Sequence, residues 1–173
     1  LQQLTELYDK VPPEDSILLD IMASHVSHLP ARMTLEHVNL HGMNPDELDG
    51  NPVRQVMQGT AYVQDLNANP LFIGLCNDTT YDAVLCCVGI QYLEEPEAVF
   101  AELARVLKPN GVVVISFTNR FFYQKALQGW IERGMKERAR LVQDYLRAAG
   151  GFQDIEIVGD GPSGGCLVYT SER

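Results

Sequence analysis

The residues with the clearest capacity for chemistry follow a short apolar run near the start of the chain. The run Ile17–Leu19 has the composition of a strand buried on both faces, and Asp20 comes directly after it. His25 and His28 follow, and imidazole groups titrate near neutral pH, so each could accept a proton during a reaction. Ligands of open α/β proteins bind where the first strand turns into a helix, so this stretch is a candidate ligand-binding edge. The two histidines could instead be surface or helix-capping residues.

Two further polar pairs come just after long apolar runs. They are Gln91 with Tyr92, and Asn119 with Arg120. The carboxyl ends of parallel strands share one edge, so both pairs are predicted to lie beside the first site. Arg120 could bind an anionic substrate because a guanidinium group matches carboxylate geometry, and Tyr92 could line the substrate cavity. Core packing of Tyr92 and helix capping by Asn119 are equally compatible with the sequence.

Other reactive or aromatic residues have a structural interpretation. His37 and His41 share one face of a predicted strand, but residues four apart in a strand lie ~13 Å apart, so no metal site is predicted. The aromatic residues Phe121–Tyr123 and Trp130 are expected to pack between helices rather than to form a substrate box. The cysteines lack CxxC spacing and are predicted to be buried free thiols of a reducing intracellular compartment, with a vicinal disulfide or a redox role as the alternative. They are Cys76, Cys86, Cys87 and Cys166.

Composition limits the class of protein and of partner. The chain has 173 residues, of which 46% are apolar, enough for one domain with a sizeable core. The formal charge of −10 disfavours a nucleic-acid partner, because an acidic surface repels phosphates, whereas a small or cationic ligand is compatible with it. No apolar run reaches the length of a membrane span and no cleavable signal is visible. Because the first residue is Leu1, we expect an N-terminal piece, such as a targeting segment, to precede it.

Strands and helices alternate along most of the sequence, and a hairpin follows. The predicted strands are 16–21, 35–41, 61–63, 81–88, 112–117, 152–158 and 166–170. The predicted helices are 1–10, a short one at Val26–Leu29, a broken segment over 45–57, one over 95–107 with Lys108 in its last turn, and 119–150 with breaks at Gly129 and Gly134. This order implies a mostly parallel sheet with helices on both faces, and a turn at Gly159–Gly165 between the last two strands.

Three stretches in the middle of the chain carry a family resemblance. Tyr81–Leu85 reads YDAVL, Gln91–Leu93 reads QYL, and Glu102–Gly111 reads ELARVLKPNG. Together they resemble the class I S-adenosylmethionine-dependent methyltransferases, and more narrowly the small-molecule type 11 group, in which the position of Asn110 is a glycine. The resemblance implies one domain over 1–173 with a Rossmann-like three-layer α/β sandwich. Its sheet is expected to be seven-stranded and mostly parallel, with a C-terminal antiparallel hairpin.

The resemblance also implies which residues meet the cofactor, S-adenosylmethionine. Asp20 matches the aspartate that closes the first strand, and Asp65 matches the acidic residue that meets the adenine amine. The complete cofactor set is Asp20, Met22, Ala23, Ser24, Gly42, Met43, Asp65, Leu66, Cys87 and Val88. The substrate set is Gln91, Tyr92, Asn119 and Arg120. The catalytic candidates are His25, His28 and Tyr92, and the oligomeric state is left open.

The sequence departs from the family at two cofactor contacts. Met22, Ser24 and Val26 stand where the family has the three glycines of a G-x-G-x-G loop, and glycine lets backbone approach a ligand without a Cβ in the way. Gly42 stands where the family has the acid that holds the ribose hydroxyls. Loss of such a charge-assisted hydrogen bond removes roughly 1.5–3 kcal/mol of binding free energy.

Two functional hypotheses follow. The first is a methyltransferase that acts on a small molecule. The second is a binding or scaffold protein with a methyltransferase fold that has lost its cofactor, in which Met22 and Val26 fill the space of the methionine moiety. A nicotinamide-dependent dehydrogenase explains less, because the glycine fingerprint is missing for that class as well and a terminal hairpin is unusual in it.

Overall fold

The apolar runs of the sequence form the central strands of one sheet. The computed structural model describes residues 2–57, 59–160 and 166–172. Its helices are α1 (Gln2–Tyr8), α2 (Pro45–Asp49), α3 (Pro52–Met57), a 3₁₀ turn (Ile90–Tyr92), α4 (Pro96–Val106), α5 (Gln128–Ile131) and α6 (Met135–Ala149). Its strands are β1 (Ser16–Ile21), β2 (Leu35–Gly42), β3 (Ala61–Val63), β4 (Tyr81–Cys87), β5 (Leu107–Phe117), β6 (Phe152–Asp160) and β7 (Cys166–Glu172). Among the described residues, no helix combines the length and the apolar composition needed to cross a membrane.

The sheet follows the order β3-β2-β1-β4-β5-β7-β6. Strands β1 to β5 pair in parallel, and β7 pairs antiparallel with β5 and with β6. The predicted α/β class and the Rossmann-like architecture are therefore confirmed, whereas most of the turn predicted at Gly159–Gly165 lies outside the described residues. The five parallel strands end on one side of the sheet, which we call the carboxyl edge.

Alternate residues of each central strand face opposite helical layers, as expected of strands that are covered on both faces. On one face, Leu19 and Val84 pack with the buried side chains of α4 and α6. On the other face, Leu18 and Leu85 pack with apolar residues of α1, α2 and α3. Because the period of a strand is two, polar residues such as Asp20, in phase with Leu18, must lie on the side of α1 to α3.

The helix predicted at Val26–Leu29 is wrong, because no residue of the connection 22–34 is helical. Two local features exclude it. His28 has a left-handed backbone with φ 55°, and the carbonyl group of Ser24 accepts a hydrogen bond of 2.8 Å from the Asn51 side chain instead of from a helical amide. The connection between β1 and β2 is therefore an irregular loop held by distant side chains, and we call residues 22–34 the β1–β2 loop.

Two other helix boundaries also differ from the prediction. The helix predicted from residue 119 begins only at Gln128, because the Thr118 hydroxyl and the Arg120 backbone exchange hydrogen bonds that form a local turn. Helix α4 ends at Val106, so Lys108 lies in β5 rather than in the last helical turn, and its ammonium group donates to Asp82 over 2.8 Å. The loop 118–127 is thus free to follow the carboxyl edge.

Candidate functional site at the carboxyl edge

Unpaired polar atoms are concentrated at the carboxyl edge. Among the described residues, five buried side-chain atoms have no hydrogen-bond partner: Tyr8 OH, His41 Nε2, Gln91 Oε1, Ser116 Oγ and Trp130 Nε1. His41 and Ser116 are the second-last residues of β2 and β5, and Gln91 lies in the turn after β4. Trp130 packs edge-on against Phe117, the last residue of β5, at 4.9 Å between ring centroids. Nearly all buried polar atoms in proteins are paired, so this concentration marks the candidate site.

Asp20 is the centre of a buried polar cluster under helix α1. Its carboxyl group is 2% exposed and hydrogen-bonded by the Ser27 hydroxyl. Burial raises the pKa of Asp20 to about 7, because a charged carboxylate is disfavoured away from water. The Tyr8 hydroxyl lies close to Asp20, Cys87 and Ser116, and burial together with the charge of Asp20 raises the pKa of Tyr8. The cluster therefore joins β1, β4 and β5 to α1 and can hold a proton near neutral pH.

The β1–β2 loop is fastened to α2 and to the segment after it. The Ala23 amide donates to the His41 carbonyl over 2.8 Å, and the Ser24 hydroxyl donates to the Glu47 carboxylate. Asn51 Nδ2 donates to the Ser24 carbonyl at 2.8 Å and to Ser27 Oγ at 3.0 Å. The residues predicted to form the cofactor loop therefore do lie at the carboxyl edge, but much of their hydrogen-bonding capacity is directed to the protein itself.

Two adjacent strands are followed by non-glycine residues in the left-handed region. Met22 follows β1 with φ 54°, and Val88 follows β4 with φ 55°. Such conformations cost roughly 1–3 kcal/mol each and occur preferentially at functional sites. The Val88 amide donates to the Ser116 carbonyl over 2.8 Å. Met22 packs against Gly89, where a Cβ would lie only 2.8 Å from Met22 Cβ and Sδ.

The position expected to hold ribose hydroxyls is occupied by backbone. A Cβ on Gly42 would lie 2.6 Å from the Ala23 carbonyl oxygen, so a side chain there does not fit with the loop as it stands. The next residue, Met43, points into solvent with 67% of its surface exposed. The lack of an acidic residue at position 42 and the path of the β1–β2 loop therefore depend on each other.

His41, the residue before Gly42 on β2, presents an unpaired donor on the opposite face of the strand. Its Nδ1 accepts a hydrogen bond from the Met22 amide at 3.4 Å, and its ring meets Phe72 edge-on at 5.3 Å. Burial lowers the pKa of His41 to about 4, so the imidazole is neutral at physiological pH. With Nδ1 accepting, the proton of the neutral ring belongs on Nε2, which has no partner in the part of the chain that the structure describes.

The predicted adenine-side residues follow β3. Asp65 accepts the Asn67 amide over 2.9 Å in a local turn, and Leu66 is buried. Asn67 in turn donates to the Tyr92 carbonyl at 2.9 Å, which joins this loop to the 3₁₀ turn after β4. Asp65 and the substrate-side residue Tyr92 are thus placed on neighbouring loops.

The four substrate candidates gather on two contacting segments. Gln91 Nε2 donates to the Val88 carbonyl at 3.0 Å, and the Tyr92 hydroxyl accepts the Phe122 amide at 3.0 Å. Asn119 and Arg120 are exposed on the loop that contains Phe122. The structure therefore brings the two pairs to one side of the site.

The catalytic candidates are attached to different elements. His25 is exposed and lies over α2, 3.9 Å from the Cβ position of Gly50, whereas the His28 carbonyl accepts the Thr5 hydroxyl of α1 at 3.1 Å. Burial lowers the pKa of His28. Tyr92 contacts the loop after β5 instead. Among the described residues, no hydrogen bond or ring contact joins the three side chains, so their catalytic role stays a prediction.

Several residues of the site were not singled out by sequence reasoning. Tyr8 lies in the helix predicted over 1–10, and Asn51 lies in the broken segment predicted over 45–57. Ser116 could have been found from the sequence, because it is a polar residue at the end of the apolar run that forms β5. Of the cysteines, Cys76 and Cys86 are buried free thiols and Cys87 is a partly buried one, whereas the side chain of Cys166 lies outside the described part.

Comparison with known proteins supports the same assignment of fold. The profile of a family described as "Methyltransferase domain" matches residues 53–115. An uncharacterized protein of Mycobacterium tuberculosis is 31% identical over 113 residues, which is 64% of this chain and 40% of that protein. An S-adenosylmethionine-dependent methyltransferase from Mesorhizobium loti superposes with a TM-score of 0.65 at 13% identity, covering 92% of each chain. One from Aquifex aeolicus gives a TM-score of 0.65 at 16% identity, covering 99% of this chain and 89% of the other.

These comparisons confirm the resemblance to class I S-adenosylmethionine-dependent methyltransferases. The two structures, at 13% and 16% identity, show a common fold. The chain spans only 40% of the length of the mycobacterial relative.

Proposed function

We propose that the protein is an S-adenosylmethionine-dependent methyltransferase that acts on a small molecule. The observation that carries the proposal is the group of buried polar side chains at the carboxyl edge, among which His41, Gln91 and Trp130 each have an atom without a hydrogen-bond partner. That edge is where open α/β folds bind ligands, and it also carries the residues that the family resemblance assigns to the cofactor. The matched methyltransferase profile supports the reaction class.

The chemistry of the donor set suits this cofactor except at residue 42. Asp65 and Leu66 supply an acceptor and an apolar surface for an adenine ring. The Nε2 proton of His41, the residue before Gly42, is an unpaired donor at the end of β2. Asp20 and Ser116 would hold the methionine end, and their acidic and hydroxylic character suits a positively charged group.

When bound, S-adenosylmethionine supplies an electrophilic methyl carbon, to which the acceptor atom bonds as the carbon–sulfur bond breaks and its electron pair stays on sulfur. The role of this chain is to place the acceptor in line, which can supply much of the rate enhancement. Asn119 and Arg120 would orient an anionic substrate. Tyr92 can donate to it, because its hydroxyl accepts the Phe122 amide and keeps its own proton available.

A proton on the acceptor must leave during the reaction. His25 and His28 are the proposed bases, since both lie on the β1–β2 loop and general-base catalysis contributes about 10²–10⁴-fold. The burial that lowers the pKa of His28 keeps its imidazole unprotonated at neutral pH, which is the form that a base requires.

The second candidate is a binding or scaffold protein without cofactor. It is favoured by the Ala23 carbonyl oxygen at the Cβ position of Gly42 and by the bonds that fasten the loop. This candidate expects Met22 and Val26 to fill the space of the methionine moiety. Met22 lies against Gly89, which favours it, whereas Val26 is 53% exposed and fills no interior space.

Calorimetry with S-adenosylmethionine tests the proposal. The expected result is saturable heat with one site, weakened about tenfold or more by Asp65→Asn, because a hydrogen bond to a charged group contributes about 1.5–3 kcal/mol. Asp144→Asn, an exposed carboxylate on α6, is the matched control and should leave the affinity unchanged. Absence of heat at millimolar cofactor, with a native circular dichroism spectrum, would reject the methyltransferase and favour the scaffold.

A further inference from the structure

The loop between β5 and α5 exposes two large aromatic rings. We call residues 118–127 the aromatic loop. The side chains of Phe122 and Tyr123 are 71% and 67% exposed, although their neighbours Phe121 and Trp130 pack against Arg138 at 4.7 and 5.3 Å. The expectation that these aromatics all pack between helices is therefore wrong for Phe122 and Tyr123, because the segment is not helical.

The aromatic loop is held in place at its middle and at its end. The Phe122 amide donates to the Tyr92 hydroxyl at 3.0 Å, and the Leu127 amide donates to the Gln91 carbonyl at 3.3 Å. The Phe122 and Tyr92 rings lie 6.5 Å apart. A fastened loop that presents apolar rings to water is typical of a recognition surface rather than of a frayed segment.

The charge of this loop is opposite to that of the whole chain. Residues 118–127 carry Arg120 and Lys125 and no acidic residue, whereas the protein has a formal charge of −10. Neither cation forms an ion pair with any described residue. The Lys125 ammonium group lies 5.7 Å from the centroid of the Phe122 ring, so a positive charge accompanies the exposed aromatic face.

Two of the unpaired buried atoms belong to the residues on which the aromatic loop rests. Gln91, whose carbonyl binds Leu127, has an unpaired Oε1, and Trp130 has an unpaired Nε1. Both atoms are buried, and one is an acceptor and the other a donor, so the two residues that hold the loop keep unused hydrogen-bonding capacity. This observation is independent of the exposure and charge of the loop.

We infer that the aromatic loop binds the acceptor substrate, and that this substrate is a small aromatic molecule that carries a negative charge. Phe122 and Tyr123 contact its ring, and Arg120 and Lys125 hold its anionic group. The inference rests on the proposed function, because it assigns the acceptor side of the same edge. It extends that function by naming the chemical class of the acceptor.

Binding of simple probes tests the inference without cofactor and without turnover. The probes are 4-hydroxybenzoate as aromatic anion, benzyl alcohol as neutral aromatic and hexanoate as aliphatic anion. Calorimetry should show that 4-hydroxybenzoate binds about tenfold or more tightly than either other probe. Because the chain has a single tryptophan, the indole N–H resonance of Trp130 reports on the site, and it should shift only with the aromatic anion.

Variants separate the two contributions. Phe122→Ala or Tyr123→Ala should weaken 4-hydroxybenzoate binding about 3- to 12-fold, as expected for loss of an aromatic contact. Arg120→Gln should weaken it about fivefold and reduce the preference over benzyl alcohol. Val56→Ala, an exposed apolar residue on α3, and Lys136→Gln, an exposed cation on α6, are controls that should change nothing.

Failure of this inference can be told from failure of the methyltransferase proposal. Cofactor binding without probe binding would overturn the substrate class alone. Probe binding without cofactor binding would overturn the role of the loop in binding a methyl acceptor and leave only a site for an aromatic anion. Equal affinity for the three probes would overturn it. So would binding of the protein to anionic phospholipid vesicles that is lost in Phe122→Ala while 4-hydroxybenzoate does not bind, since the loop would then recognise a membrane surface.

Discussion

The carbonyl oxygen of Ala23 lies in the space that a side chain on Gly42 would need, with 2.6 Å between it and the position of a Cβ. The two residues follow and end neighbouring strands, and the Ala23 amide also donates to the carbonyl of His41. The β1–β2 loop therefore rests directly on the end of β2. An acidic residue at position 42 and this path of the loop exclude each other.

We expect Gly42→Ala to lower the free energy of unfolding by about 1–3 kcal/mol, because the new methyl group meets backbone that cannot rotate away. Gly134→Ala is the control, since its Cβ would meet only Glu137 Oε2 at an ordinary 3.6 Å, and it should cost less than about 1 kcal/mol. Urea denaturation measures both. A Gly42→Asp variant that keeps full stability and binds S-adenosylmethionine more tightly would contradict this account.

The pH dependence of stability should contain two opposing contributions. Asp20 has a pKa of about 7 in the folded protein and 3.8 as its ordinary value, so between about pH 4 and 7 folding retains a proton and stability falls as pH rises. His41 has a folded pKa of about 4 and an ordinary value of 6.5, so in the same range folding excludes a proton and stability rises with pH. Each fully developed slope is about 1.4 kcal/mol per pH unit, and the two nearly cancel.

Single substitutions should separate the contributions of Asp20 and His41 to the pH dependence of stability. Relative to the parent, Asp20→Asn should become more stable as pH rises from about 4.5 to 6.5, and His41→Gln should become less stable over that range. Urea denaturation at several pH values measures the differences. Parallel curves for the parent and Asp20→Asn would mean that the carboxyl group is not protonated in the folded state.

The segment Glu102–Gly111, which carries part of the family resemblance, is expected to stabilise the fold through Arg105. Its guanidinium group binds Glu102 at 2.8 Å and the Cys76 carbonyl at 3.2 Å, and Glu102 also accepts the Phe72 amide. Arg105→Met should cost roughly 2–4 kcal/mol, because it leaves the nearly buried Glu102 carboxylate without a cation. Loss of S-adenosylmethionine binding in a folded Arg105→Met protein would instead indicate that the segment Glu102–Gly111 takes part in cofactor binding.

A surface pair provides the control for that substitution. Arg147 pairs with Asp144 at 2.9 Å with more than half of each side chain exposed, so Arg147→Met should cost less than about 1 kcal/mol. Thermal denaturation of the two variants compares a partly buried arginine–carboxylate pair with an exposed one of the same i,i+3 spacing.

Asn51 should control the mobility of the β1–β2 loop. Asn51→Ala removes the hydrogen bonds to Ser24 and Ser27 and the one that its own oxygen accepts from Val53, and should cost roughly 2–3 kcal/mol. Hydrogen exchange at residues 22–28 should accelerate. The control is Asn69→Ala, because the exposed Asn69 side chain accepts the Leu71 amide and no other donor in the described ranges, and it should leave that exchange unchanged. Unaltered protection in Asn51→Ala would show that other contacts hold the loop.

The strands were predictable because their signals are local. The run 83–88 is apolar at every position, which favours a strand covered on both faces, and β4 occupies the centre of the sheet. The β1–β2 loop was not predictable in the same way. Nothing in the sequence near Ser24 indicates that its carbonyl group accepts a hydrogen bond from Asn51, which is far along the chain. That hydrogen bond takes the place of the one that the predicted helix would have made.

The sequence predicted that the candidate site lies at the carboxyl edge of the sheet, but it did not predict the buried polar cluster around Asp20. Asp20 and the pair Gln91–Tyr92 follow apolar runs, so parallel pairing places them together. Whether a polar atom is left unpaired depends instead on packing from remote elements. Tyr8 shows this, because a residue of an apolar helical stripe brings its hydroxyl beside Asp20 only in the folded chain.

The two long helices, α4 and α6 with 11 and 15 residues, lie on the same face of the sheet. The helices on the side of the Asp20 cluster, α1, α2 and α3, have 7, 5 and 6 residues. Helices of two turns do not persist without tertiary contacts. Helices α1 to α3 should therefore form a separate cooperative unit that opens below the free energy of global unfolding. Because Glu47 and Asn51 fasten the β1–β2 loop to that unit, sub-global opening would release the loop together with it.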